Sequence, residues 1–170
     1  LFGVALITLG SIATDLKDKL GMSEIETGAL FSILPFGILV GSLIFGPVAD
    51  RYGYKLLLTI TCIFLAAGFE GVAFSSSSAL LKLSIFLIGL SGGVLNGATN
   101  ALVSDISNSD RTANISLLGV FFGIGALGIP LMLGSAGEKA GFEGIVSSVG
   151  LVSLFGAIIY GLIKLQQKKN

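Results

Sequence analysis

The chain has 170 residues, of which 53% are hydrophobic and 12% charged, and its acids and bases balance to a formal net charge of zero. Soluble domains carry about 25% charged residues, so this composition, with a mean hydropathy of +0.96, is that of an integral membrane protein. There is no basic surface to recruit nucleic acid, no histidine, and a single cysteine, Cys62, inside an apolar run, so no zinc site, disulfide framework or Cys/His nucleophile pair can be assembled.

Runs with little or no charge at residues 1–14, 27–49, 56–74, 83–104, 113–137 and 144–163 predict six membrane helices. The last five approach or exceed the roughly 20 residues that cross about 30 Å of hydrocarbon. The first is short, lacks an initiator Met and leads into an acidic loop instead of a small-residue cleavage site, so it reads as a truncated helix and not as a signal peptide. The expected fold is an all-α polytopic bundle covering residues 1–170.

Between the second and third runs lies Gly46-Pro47-Val48-Ala49-Asp50-Arg51-Tyr52-Gly53-Tyr54-Lys55, a charged hairpin too short to be a domain and so bound to a membrane surface. In it Gly46 permits close helix approach, Gly53 a tight reversal, and Asp50 can accept backbone N–H groups while pairing with Arg51 or Lys55. With this hairpin on the cytoplasmic side, that side collects Arg51, Lys55, Arg111, Lys164, Lys168 and Lys169, against Lys17, Lys19, Lys82 and Lys139 outside. The third run contains Glu70, the one acid well inside a span, which is either a proton carrier or, being near Ser75 to Ser78, a carboxylate at the outer interface.

In the fourth run Gly89, Gly93, Gly97 and Ala101 recur every four residues, a stripe that brings membrane helices together. Asn96, Thr99 and Asn100 lie beside it. Amides in hydrocarbon need partners, so these residues form either an interhelical hydrogen-bond clamp or a solute contact, and as joint donors and acceptors they suit sugar hydroxyls. Asp105, Asp110 and Arg111 follow, on the side of Asp50. The fifth run carries Gly119 and Gly123, expected at a packing face, and Pro130, expected at a bend.

A shift of 88 positions lays Gly46, Asp50, Arg51, Gly53 and Tyr54 onto Gly134, Glu138, Lys139, Gly141 and Phe142. Three spans separate the copies, so the second crosses the membrane in the opposite sense, as in a three-plus-three inverted repeat.

The glycine, Asp50-Arg51, Gly53 and second base Lys55, placed after the second span, resemble the signature loop of the major facilitator superfamily. The resemblance covers the entire chain as one six-helix half. It implies transport of a small polar solute, most readily a sugar, by alternating access, either facilitative or coupled to H+ or Na+. It also implies an absent C-terminal six-helix half, which the cytoplasmic cluster at Asp50 would latch in the outward-facing state. The implied location is the lipid bilayer, most simply a bacterial inner membrane, with no cofactor and no enzymatic activity. Helices one and four look like the fucose:proton symporter branch, yet Asn96 and Gly10 stand where that branch has carboxylates, and an amide carries no proton near neutral pH. Another solute, such as an amino acid, organic anion or drug, or a non-transporting accessory role, are the alternatives. An intramembrane enzyme would need a deep nucleophile and base, which the spans lack.

Overall fold

The computed structural model describes residues 1–107 and 110–163, with Glu138 described by its backbone alone. Lys164, Lys168 and Lys169, counted above for sidedness, lie outside the described residues. The described chain forms four helices: α1 (Phe2–Leu20), α2 (Glu24–Ala73), α3 (Ser78–Ile106) and α4 (Arg111–Leu162).

Local chemistry sets the boundaries. Gly21 closes α1 in the left-handed conformation, with φ 60. Ser23 then opens α2 with a capping box: its hydroxyl accepts the Glu26 N–H at 3.2 Å, and Glu26 accepts the Ser23 N–H at 2.9 Å. Glu24 and Glu26, which the sequence places in a loop, are therefore the first turn of a helix. Ser77 caps α3 by accepting the Leu80 N–H at 3.3 Å.

At 50 residues, an unbroken α2 would be about 75 Å long, more than twice a bilayer core. It breaks at Gly53, with φ 81 and ψ 159, a conformation open to glycine and strained for other residues. Neighbours along α3 reveal what the break does. Before it, a methyl on Gly37 would meet Phe86 and Leu90, one on Gly41 would meet Leu90 and Val94, and Gly97 of α3 faces Phe45. Beyond it the order runs backwards: Tyr54 bonds Asp105, Gly68 faces Ile88 and Gly71 faces Ser84. The chain therefore reverses at Gly53. In α4 the corresponding break is Gly141, with φ 66 and ψ 167, 88 residues after Gly53. Past it, α4 runs antiparallel to α1, with Glu143 beside Lys19 at one end and Gly156 beside Leu1 at the other.

These breaks correct the expected loops. Residues 46–52 are helical, and a single glycine with positive φ makes each turn that the sequence assigned to a longer hairpin. Pro130 keeps helical dihedrals, so the break in α4 is at Gly141. Among the described residues, the stretches long and apolar enough to cross a membrane are Glu24–Ala73, Ser78–Ile106, Arg111–Gly137 and Lys139–Leu162. The expected six separate spans thus appear as four such stretches, the first containing the reversal at Gly53. α1 is not one of them, because the helix continues past Thr14 through Asp15, Lys17, Asp18 and Lys19.

Leu9, Ile12 and Leu16 of α1, Leu58, Leu65 and Phe69 of α2, Leu81, Ile85 and Ile88 of α3 and Val146 of α4 are fully buried and form the core. α2 and α3 pack backbone to backbone. A side chain at Gly37, Gly41, Gly89 or Gly93 would strike the carbonyls of Phe86, Leu90, Leu34 and Ile38 respectively, which is the geometry that small residues permit in membrane helices.

Candidate functional site

Asn96, Thr99 and Asn100 are half-buried on α3. Asn100 Nδ2 donates to the Asn96 carbonyl at 2.8 Å and to Asn96 Oδ1 at 3.1 Å, and the Thr99 hydroxyl donates to the Leu95 carbonyl at 2.6 Å. These bonds run along one helix, so within the described residues the trio does not form the interhelical clamp. It lines a cavity of about 500 Å³ whose other walls include Phe2 and Gly3 of α1, Phe121 and Phe122 near the start of α4, and Tyr160 near its end. The Phe2 and Phe122 rings are 5.4 Å apart and tilted. A concave, mostly apolar chamber with a few convergent polar groups is the usual form of a small-molecule site.

A second cavity, of about 480 Å³, lies between α2, α3 and the start of α4, lined by Gly46, Asp50, Tyr54, Ser104, Asp105 and Arg111 among others. Asn100 and Ile115 line both cavities. The expected pairing of Asp50 with Arg51 or Lys55 is not formed. Asp50 is exposed, Arg51 is exposed with its guanidinium 5.4 Å from the Tyr52 ring centre, and Asp50 takes part in no ion pair among the described residues. Lys55 is half-buried, and its carbonyl accepts the Thr59 hydroxyl at 2.9 Å.

The bond that spans this corner is instead from the Tyr54 hydroxyl to Asp105 Oδ2, at 3.0 Å. Tyr54 lies outside the apolar runs, and its phenol is pushed up to about 12, first by burial, then by the bond to Asp105 and the negative charges of Asp105 and Asp50. It is therefore a neutral donor across the physiological range. Sequence reasoning placed Asp105 on the side of Asp50 but missed Tyr54 as its partner, since the two are 51 positions apart.

Glu70 belongs to neither cavity. Its Oε2 accepts the Ser147 hydroxyl at 2.8 Å, while its Oε1 is enclosed without a hydrogen-bond partner among the described residues, against Gly150, where an added methyl would require the carboxylate to shift. Nearby, Lys19 donates to the Ala73 carbonyl at 2.9 Å, pairs with Glu143 at 3.5 Å and lies 5.4 Å from the Phe142 ring centre. This end of the bundle is thus tied together by polar contacts from α1, α2 and α4.

The glycines divide into two groups. Gly89 and Gly93 meet backbone and Gly97 meets the Phe45 ring, whereas a methyl at Gly119 or Gly123 would find nothing within 4 Å. The four-residue spacing of Gly119 and Gly123 marks no contact inside the described chain; Gly119 lines the first cavity instead.

Residues 1–170 match the family model of the Major Facilitator Superfamily. The chain is 32% identical over 107 residues to Sugar transporter ERD6-like 9 of Arabidopsis thaliana, covering 62% of this chain and 32% of that protein. It is 29% identical over 130 residues to Sodium-dependent glucose transporter 1 of Rattus norvegicus, covering 76% and 27%. It is also 34% identical over 124 residues to Organic anion transporter 3 of Mus musculus, covering 72% and 23%. The chain spans about a third or less of the length of these relatives.

Proposed function

Because the chain belongs to the major facilitator superfamily, we propose that it forms one six-helix half of a transporter moving a small polar solute, most readily a sugar, by alternating access. The observation that carries this reading is the cavity of about 500 Å³ in which Asn96, Thr99 and Asn100 face aromatic walls. Amides and a hydroxyl can both give and receive hydrogen bonds from solute hydroxyls, and the rings of Phe2, Phe121, Phe122 and Tyr160 suit the apolar faces of a sugar ring.

The matching breaks at Gly53 and Gly141 support an inverted three-plus-three arrangement in which each long helix supplies two crossings. A second half, consistent with the greater length of the relatives, would complete the chamber. In this reading Asp50, Arg51, Gly53 and Lys55 lie on the cytoplasmic side, most simply of a bacterial inner membrane, and latch that second half. The exposed carboxylate of Asp50 supports the assignment, since it takes part in no ion pair among the described residues. No proton coupling is assigned to Asn96. If transport is proton-coupled, Glu70 is the candidate carrier, because one of its oxygens is enclosed without a hydrogen-bond partner among the described residues; a sodium-dependent relative makes Na+ the competing ion.

The test is uptake by the full-length transporter in proteoliposomes, with labelled D-glucose, D-xylose and an organic anion under imposed pH and sodium gradients. Sugar uptake is expected, with Asn96→Ala weakening apparent affinity roughly tenfold, equivalent to about 1.4 kcal/mol. Unchanged affinity would remove Asn96 from the site. Uptake of the anion alone would favour the second reading, an organic-anion carrier, for which the 34% identity to Organic anion transporter 3 is the supporting observation.

A further inference from the structure

The hydrogen bonds already made within the trio of α3 fix which of its atoms remain for a solute. A backbone carbonyl can only accept, so the Asn100 amide atom 2.8 Å from the Asn96 carbonyl is the donor Nδ2. The Asn96 side-chain atom 3.1 Å from that same nitrogen must then be the acceptor Oδ1. Asn96 Nδ2 is left on the other branch of its amide, and neither it nor Asn100 Oδ1 has a hydrogen-bond partner among the described residues. The Thr99 hydroxyl directs its one proton to the Leu95 carbonyl at 2.6 Å, so toward a solute its oxygen can only accept. All three residues line the cavity of about 500 Å³.

Resting on the sugar reading above, we propose that Asn100 is a positioning residue: it locks the Asn96 amide with its nitrogen available to the solute, and so divides the chamber into one donor, Asn96, and two acceptors, Thr99 and Asn100. The solute must offer an acceptor to Asn96 and a hydroxyl proton to Thr99 or Asn100. A neutral polyhydroxyl solute meets both demands. A carboxylate has acceptors alone and sets its oxygens against those of Thr99 and Asn100, so the same division works against the organic-anion reading. Asn100→Asp takes away the donor that Asn96 Oδ1 bonds and puts an acceptor in its place. The Asn96 amide then turns over to donate to that carboxylate, and its oxygen, not its nitrogen, meets the solute.

Competition of monodeoxy and monofluoro derivatives of D-glucose and D-xylose against the labelled parent sugars, on the purified full-length transporter, tests this, because fluorine can accept a hydrogen bond but cannot donate one. At one ring position the fluoro derivative should bind within roughly threefold of the parent and the deoxy derivative roughly tenfold more weakly, the mark of a solute atom that accepts from Asn96. At another position both derivatives should bind roughly tenfold more weakly, the mark of a hydroxyl that donates to Thr99 or Asn100. Asn96→Ala should abolish the difference between fluoro and deoxy at the first position. Asn100→Asp should make the fluoro derivative there at least as poor as the deoxy one, a reversal that a general loss of stability would not produce. Asn100→Leu, which serves if that variant does not fold, frees the amide to turn and should shrink the difference. Fluoro and deoxy derivatives that bind alike at every position of the unmodified protein, or a fluoro preference unaltered by Asn100→Asp and Asn100→Leu, overturn the positioning role and leave the sugar reading intact. Absence of saturable binding for both parent sugars overturns that reading and the positioning role with it.

Discussion

Tyr54 lies one residue beyond a chain reversal and donates its hydroxyl to Asp105 at the far end of α3. Removing that donor with Tyr54→Phe should lower stability by about 0.5–1.5 kcal/mol, read as a lower melting temperature in detergent. Asp105→Asn keeps an acceptor oxygen and should lower it less. The phenol has a folded value of about 12 against an ordinary 10.0. Its contribution is therefore fully present below the ordinary value and lost as pH rises through the folded one, so melting curves between pH 6 and 9 should not change on account of Tyr54. Asp50→Asn should reduce uptake while membrane insertion remains normal; unimpaired transport would remove Asp50 from the latch. At this scale the polar trio of α3 was legible, because Asn96 and Asn100 are one turn apart in an apolar helix. The aromatic walls were not, since Phe2, Phe122 and Tyr160 meet across the whole length of the chain.

Helices are positioned by two different uses of glycine, and substitution separates them. At Gly53 and Gly141 the backbone has positive φ with ψ 159 and 167, a region held almost only by glycine, so Gly53→Ala and Gly141→Ala should each cost roughly 1–3 kcal/mol. At Gly41 and Gly93 the dihedrals are helical, but the opposite carbonyl fills the space of a side chain. Gly93→Val should therefore push α2 and α3 apart and cause a larger loss of thermal stability than either turn variant. Gly119→Ala and Gly123→Ala meet nothing within 4 Å and should be neutral or stabilising by up to roughly 1 kcal/mol. Equal destabilisation across the three groups would show that these contacts do not set the packing. From sequence alone all of these positions look similar, small residues in apolar runs. Spacing identifies a stripe, but only the neighbour across the stripe decides whether it is used.

Across the whole molecule, burial is uneven. The core gathers around α1, α2, α3 and the end of α4, while Leu117, Val120, Phe121, Ile124, Leu127 and Leu131 near the start of α4 are exposed. Lipid or a second half would cover such a surface in a membrane. The proposed sidedness is testable in a Cys62→Ser background. Arg51→Cys should react with a membrane-impermeant maleimide only from the cytoplasmic side, and Asp18→Cys only from outside; the reverse pattern would invert the orientation.

By itself the sequence determined that this is a helical membrane protein, where its apolar runs lie, and that the segment from Gly46 to Lys55 is a junction, because hydrocarbon leaves few choices to a chain this poor in charge. The register of 88 positions between Gly53 and Gly141 was equally visible, since both turns depend on a residue without a side chain. The tertiary structure decided what those residues do to one another: that one glycine replaces a loop, that Asp105 bonds Tyr54 while Asp50 joins no ion pair among the described residues, and that Asn100 lines two cavities. Those outcomes depend on helix rotation and contact between segments far apart in the chain, and a periodic pattern read along one helix contains no information about which face its neighbour presents.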